Sequence, residues 1–197
     1  MSSRLLAAAG IVAAAAPALL AAGCGDSRAR VPNVTAPLAP KGIQAAFFPS
    51  AGVFFAVPGN WTLIRGRPPQ LGTVTSRRAE ITVWRYPRSE PLPVTAAELE
   101  AARLALVSAA RARDSTLRVA SSKVVRVAGA PALELLGSET VGSEARRVRS
   151  THVFAFGAEV VIDALAPAAS FARVDATVFR PVLGTLRLIA ARAHARR

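Results

Sequence analysis

A chain of 197 residues, 52% of them hydrophobic, is long enough for one domain with a sizeable core, and its composition excludes a disordered chain. Its formal net charge of +13 invites a nucleic-acid reading that the pattern excludes: the basic residues are scattered and carry no stacking aromatics or recognisable module. The single cysteine, Cys24, excludes an internal disulfide, and no His/Cys/Asp/Glu spacing provides the converging ligands of a metal centre.

Residues 1–23 read as a bacterial lipoprotein signal peptide. Arg4 supplies the positive start, Leu5 to Leu20 is almost unbroken apolar sequence, and Ala21, Ala22 and Gly23 are the small residues before Cys24. The segment Leu19-Leu20-Ala21-Ala22-Gly23-Cys24 is similar to a lipobox, with Leu20 one place earlier than the usual aliphatic position. That similarity implies lipid attachment at Cys24 and anchoring through two or more acyl chains, each buried CH₂ contributing roughly 0.8 kcal/mol. An ordinary cleaved signal and an uncleaved transmembrane anchor compete with it. Pro17 and the alanine-heavy composition argue against the anchor.

Residues 24–46 read as the lipidated cysteine and a tether, with Pro32, Pro37 and Pro40 among small and polar residues and no apolar period. The domain is expected over residues 47–190. Val53–Val57 is a short apolar strand stopped by Pro58-Gly59-Asn60, and Trp61 to Ile64 resumes as a second. A Gly/Pro loop then leads to a strand from Ala79 to Tyr86. Thr95-Ala96-Ala97-Glu98 fits a capping box, and Leu99, Ala102, Leu106 and Ala109 recur at helical spacing, so a helix runs to about Asp114.

Four strand-like runs follow, Leu117–Ala128, Ala132–Thr140, Glu144–Phe156 and Glu159–Ala166, with connections too short for anything but antiparallel neighbours. Alternation in the third places Val148, Ser150, His152, Phe154 and Phe156 on one face, with Arg147, Arg149, Thr151 and Val153 opposite. A last helix from Ser170 to Leu183 carries Phe171, Val174, Val178 and Val182 on one side, kinked or restarted at Pro181. Leu186–Ile189 adds an edge strand, and residues 191–197 form a basic tail. The expected fold class is α+β, a mainly antiparallel sheet (a meander) with two helices packed against it.

The run Phe54-Phe55-Ala56-Val57-Pro58-Gly59-Asn60-Trp61 resembles the opening of PsbP-like proteins. The capped helix after Pro93, the hairpin Ala128-Gly129-Ala130-Pro131-Ala132 leading into Leu133-Glu134-Leu135, and the closing Phe179…Leu183-Gly184-Thr185-Leu186-Arg187 fit as well. Actinobacterial lipoproteins of the LpqN type are similar in the same way. The resemblance covers about residues 47–190. It implies a binding or assembly role without a shared catalytic site, and it carries over no functional residue.

The chemistry within the domain is sparse. His152, mid-strand, reads as a half-buried structural histidine, while His194 lies in the tail. No nucleophile elbow, P-loop or dinucleotide fingerprint is present in the sequence. Glu159 and Asp163 alternate with Val161 as on a solvated edge. Trp61 reads as a core anchor, and Trp84-Arg85-Tyr86 as a ligand-facing patch.

The expectation is a lipoprotein without cofactor on the outer face of a bacterial cell membrane. Its non-catalytic domain binds a protein, lipid or glycan partner, or serves as an accessory subunit. The membrane is reached through Cys24, and the excess arginine, part of which reflects GC-rich coding, attracts anionic lipid or wall polymer. The alternative is an envelope hydrolase using two carboxylates drawn from Glu80, Glu134, Glu139, Glu159 and Asp163.

Overall fold

The four C-terminal hairpin strands set the architecture, because their turns leave no other way to connect them. A computed structural model describes residues 35–191. Cys24, the signal, the first part of the tether, His194 and most of the basic tail lie outside the described residues. The strands are β1 (Ile43–Phe48), β2 (Val53–Pro58), β3 (Thr62–Arg65), β4 (Gln70–Ser76) and β5 (Ala79–Pro87), then β6 (Arg118–Val127), β7 (Ala130–Val141), β8 (Glu144–Ala155), β9 (Ala158–Pro167) and β10 (Arg187–Leu188). The helices are α1 (Ala96–Arg113), α2 (Ala168–Val174) and α3 (Arg180–Thr185). A π-helical turn, Asp175–Phe179, joins the last two into one rod.

Seven strands make one antiparallel sheet in the order β3-β4-β5-β9-β8-β7-β6, and β1-β2-β10 make a small second sheet. The fold is the expected α+β class. The meander β6–β9 is present, and its turns explain themselves. Ala128-Gly129 and Phe156-Gly157 both have positive φ at each residue (52° and 78°, 50° and 65°), the two-residue geometry whose twist matches the flanking strands.

That turn corrects one detail. Phe156 does not share the face of Phe154; it sits at the turn and is 56% exposed. Two more differences concern strands. β1 begins at Ile43, inside the segment read as tether, because Gln44-Ala45-Ala46 lacks a strand-like alternation and only pairing with β2 makes it one. β4 occupies most of the expected Gly/Pro loop. Gly66, Pro68 and Pro69 turn the chain, and Gln70–Ser76 pairs with both β3 and β5.

The main core gathers residues from both sheets and the C-terminal rod: Val53, Phe55, Trp61, Ile81, Val83, Val153, Val160, Ile162, Phe171, Val174, Val178, Phe179 and Val182. The four residues expected on the buried side of the last helix are all in it. Trp61 is 2% exposed, its indole N–H donating to the Leu38 carbonyl, so it is the expected anchor. Pro181 lacks the N–H an α-helix would need there. The π turn before it, with the Arg180 N–H reaching back to the Asp175 carbonyl, lets the chain continue without a break.

On the opposite face α1 lies across the sheet. Its cap is the expected box: the Thr95 hydroxyl accepts from the Glu98 N–H, and the Glu98 carboxylate accepts from the Thr95 N–H. That reciprocal pair satisfies two backbone N–H groups that would otherwise lack a partner at the start of the helix. Of its eighteen residues only Leu99 and Ala110 are buried. Leu99 packs with Leu133 and Phe154, and Ala110 with Leu117, Leu135 and Val148. Between these two contacts Leu106 and Val107 pack in part against the same clusters, and the remaining sheet-facing positions carry alanine, a strong helix former with a short side chain.

Candidate functional site

The short side chains of α1 leave a space beneath it. A cleft of about 520 Å³ is lined by Leu92, Ala101, Ala102, Ala105, Leu106, Ala109, Leu133 and Phe154, with Arg88, Glu98, His152 and Glu159 as its polar members. A smaller cavity of about 110 Å³ shares Leu106 and His152 with it and adds Arg113, Glu139, Ser150 and Asp163 among apolar side chains. The two lie end to end along α1, with His152 between.

Strand alternation brings these polar groups together. Ser150 and His152 are two apart on β8, and Glu159 and Asp163 are four apart on β9, which pairs directly with β8. His152 Nδ1 lies 2.6 Å from Glu159 Oε1, its Nε2 lies 3.0 Å from Ser150 Oγ, and Ser150 Oγ donates to Asp163 Oδ1 at 2.5 Å. Arg88 reaches Glu159 Oε2 at 3.3 Å and closes the cleft end of the chain.

The environments push these carboxyl groups apart. The hydrogen bond from His152, stronger than the opposing burial, holds Glu159 below the ordinary carboxylate range, so Nδ1 is the donor and Glu159 the acceptor. Burial raises Asp163, although Ser150 and the charges of His152 and Arg113 act against it. Glu139 is raised too, first by burial and then by the negative charges of Asp114 and Asp163. A lowered carboxylate at one end of a hydrogen-bonded chain, a raised one at the other and a second raised one in the same small cavity make this face the candidate functional site.

Asp163 yields a direct expectation. Its folded value lies above its unfolded one, so it costs nothing at acid pH and destabilises the domain as pH rises past the ordinary carboxylate value. Asp163→Asn keeps an oxygen for Ser150 and cannot ionise. The urea midpoint of the variant is expected to match the parent near pH 3.5 and to exceed it increasingly toward pH 7; a pH-independent difference would refute the assignment.

The structure revises several placements of the candidate residues. Glu159 and Asp163 are not on a solvated edge, because β9 is the central strand of the seven and α1 covers this part of its face. His152 is half-buried, 12% of its side chain exposed, and lines both cavities in addition to its structural bonds. Trp84, Arg85 and Tyr86 line neither cavity; Arg88, just beyond them, does. Of the five carboxylates, Glu139 and Asp163 meet in the small cavity and Glu159 lines the cleft. Glu80 is in neither.

Glu134 points to the other face. There Arg149 donates to it through Nη1 and holds Asp175 with both Nε and Nη2, at 2.6 and 2.8 Å. The sequence alone missed Arg149 and Asp175. An arginine mid-strand and an aspartate inside an apolar helix pattern were the available signal. Among the described residues no group of His, Cys, Asp and Glu could hold a metal ion, and no helix is long and apolar enough to cross a membrane.

No family model matches the sequence, and no curated protein does either. Solved structures do match the fold. Cyanobacterial PsbP (CyanoP) from Synechocystis sp. PCC 6803 aligns over 75% of this chain and 92% of its own, with TM-score 0.59 and 13% identity. LpqN of Mycobacterium tuberculosis, involved in cell envelope biogenesis, aligns over 75% and 90%, with TM-score 0.53 and 14% identity. The Ran-binding protein Mog1p of Saccharomyces cerevisiae aligns over 76% and 97%, with TM-score 0.52 and 11% identity.

Proposed function

Proceeding from a domain with the PsbP-like, LpqN-like fold, we propose that the protein is a bacterial lipoprotein on the outer face of the cell membrane, held by acyl chains on Cys24. Its domain is a non-catalytic binding or accessory module that takes a small amphiphilic ligand in the cleft beneath α1. The observation that carries this reading is the cleft itself. At about 520 Å³ it falls within the range of small-molecule sites, roughly 300–1,000 Å³. Leu92, Leu106, Leu133 and Phe154 offer an apolar wall to a chain or ring, and Arg88, His152 and Glu159 offer charge and hydrogen bonds to a polar end. The tie of LpqN to cell envelope biogenesis supports the same setting for this chain.

Two measurements test the two halves. Metabolic labelling with a radioactive lipid precursor should mark the parent and not Cys24→Ala; an unlabelled parent removes the anchor. Mass spectrometry of protein extracted gently from membranes should find a co-purifying amphiphile. Ala105→Trp, which fills the cleft, should reduce it at least tenfold, about 1.4 kcal/mol. Equal amounts in both proteins would remove the cleft as its site.

Hydrolysis is the second reading. It is favoured by Glu139 and Asp163, both raised and lining one cavity beside Ser150 and His152. That cavity holds only about 110 Å³ with α1 in place, too little for a substrate, which ranks this reading second.

A further inference from the structure

On the face opposite α1, a depression of about 470 Å³ lies between the edge strand β6 and the helix α3. Lys123 and Arg126 from β6 and Arg180 from α3 line it, above Arg149 and Glu134. We propose that this groove is a binding site for a phosphate group, free or esterified.

The argument starts from the buried network at its floor. Arg149 is nearly enclosed, and its fork holds Asp175 at two points while its remaining terminal nitrogen holds Glu134. Both carboxylates are thereby committed to Arg149. Each also touches one rim cation: Lys123 Nζ lies 3.0 Å from Glu134 Oε1, and Arg180 Nε lies 3.4 Å from Asp175 Oδ2. Three cations thus stand against two carboxylates, a surplus of one positive charge at one depression.

The rim cations keep donors in hand. Lys123 engages one carboxylate with an ammonium that has three hydrogens, and Arg180 engages Asp175 through Nε while its two terminal nitrogens are not drawn into that pair. Arg126, three residues along β6 from Lys123, leaves the strand on its other face and spends Nη2 on the Gly129 carbonyl, so it stands at the margin of the groove. The side chains of Lys123 and Arg180 are 60% and 61% exposed, so an incoming anion reaches them without displacing the core. The free end of the Arg180 guanidinium and the Lys123 ammonium beside a small concavity suit a tetrahedral oxyanion. The floor network fixes where Lys123 and Arg180 stand, so the site is partly assembled before a ligand arrives.

Calorimetric titration tests this on the full chain in an uncharged detergent, at low ionic strength and in phosphate-free buffer. The probes are inorganic phosphate and the phosphodiester glycerophosphoglycerol, with glycerol as the uncharged control. Both anions are expected to saturate at one site per chain and to weaken with salt. Arg180→Gln should weaken binding severalfold, and the combined Lys123→Gln, Arg126→Gln, Arg180→Gln change at least tenfold, equivalent to about 1.4 kcal/mol. These residues are exposed, so unchanged thermal unfolding is the check that the variants fold.

Tighter binding of inorganic phosphate assigns the groove to a phosphomonoester or free phosphate. Equal or tighter binding of the diester assigns it to a lipid headgroup or wall polymer. Either result supports the site. Absence of saturable binding by both probes, or a triple variant that binds as the parent does, overturns it. Ala105→Trp should leave both titrations unchanged, so the groove and the cleft beneath α1 stand or fall separately.

Discussion

Arg149→Ala is expected to cost the domain about 3–5 kcal/mol, enough to unfold a large fraction of it under native conditions. The reason is not the loss of three hydrogen bonds in themselves. Glu134 and Asp175 are buried, and both are hydrogen-bonded by the same guanidinium. Removing the cation leaves two carboxylates, one on β7 and one in the π turn, facing each other in a site where water replaces it poorly. The control makes the reasoning testable. Arg149→Met combined with Glu134→Leu and Asp175→Leu removes every buried charge together and should land within about 2 kcal/mol of the parent, on either side. Urea denaturation measures both. A single variant costing under about 1 kcal/mol would show that the network is wet and weak.

Phe179→Ala should cost a similar amount, about 3–5 kcal/mol, for a different reason. Phe179 is 1% exposed and stands edge-on to Phe171 with ring centroids 5.9 Å apart. Its removal opens a cavity at the contact of the C-terminal rod with the sheet and forfeits the aromatic pair, itself roughly 0.5–1.5 kcal/mol. Phe179→Leu fills most of the volume and should cost less than half as much. Because the loss is of packing, the urea midpoint should move while the slope of the transition stays as in the parent. A changed slope would mean that the rod detaches and the native state itself has altered.

What the sequence made legible was local. The capping box at Thr95, the short connections that force the strands after Leu117 into an antiparallel meander, and the apolar stripe Phe171, Val174, Val178, Val182 all act within a few residues, and each is present. The PsbP-like resemblance rested on such local features and the fold agrees with it. Long-range facts were not legible. Glu159 and Asp163 carry the alternation of an edge strand, and only the pairing of β9 with both β5 and β8, together with α1 lying over that face, takes them out of the solvent. Arg149 and Asp175 are 26 residues apart, and nothing local to either announces the other. The cleft was hidden for a subtler reason. It is made by what the alanines of α1 lack, and an alanine-rich helix reads as a good helix rather than as a distant one.

The central place of β9 bears on the order in which the domain can assemble. β5 and β8 are neighbours only through it, so the strands of Thr62–Pro87 and those of Arg118–Ala155 belong to separate sheets until Ala158–Pro167 is in position. The hairpins can close early, since their loops are short, but the step that unites the two halves must bring together partners such as Val83 and Ile162, far apart along the chain. Closure of so long a loop gives no reward until the strand seats, which makes this the slow event and a late one. A nascent chain lacking its last forty residues therefore has no complete sheet to fold into.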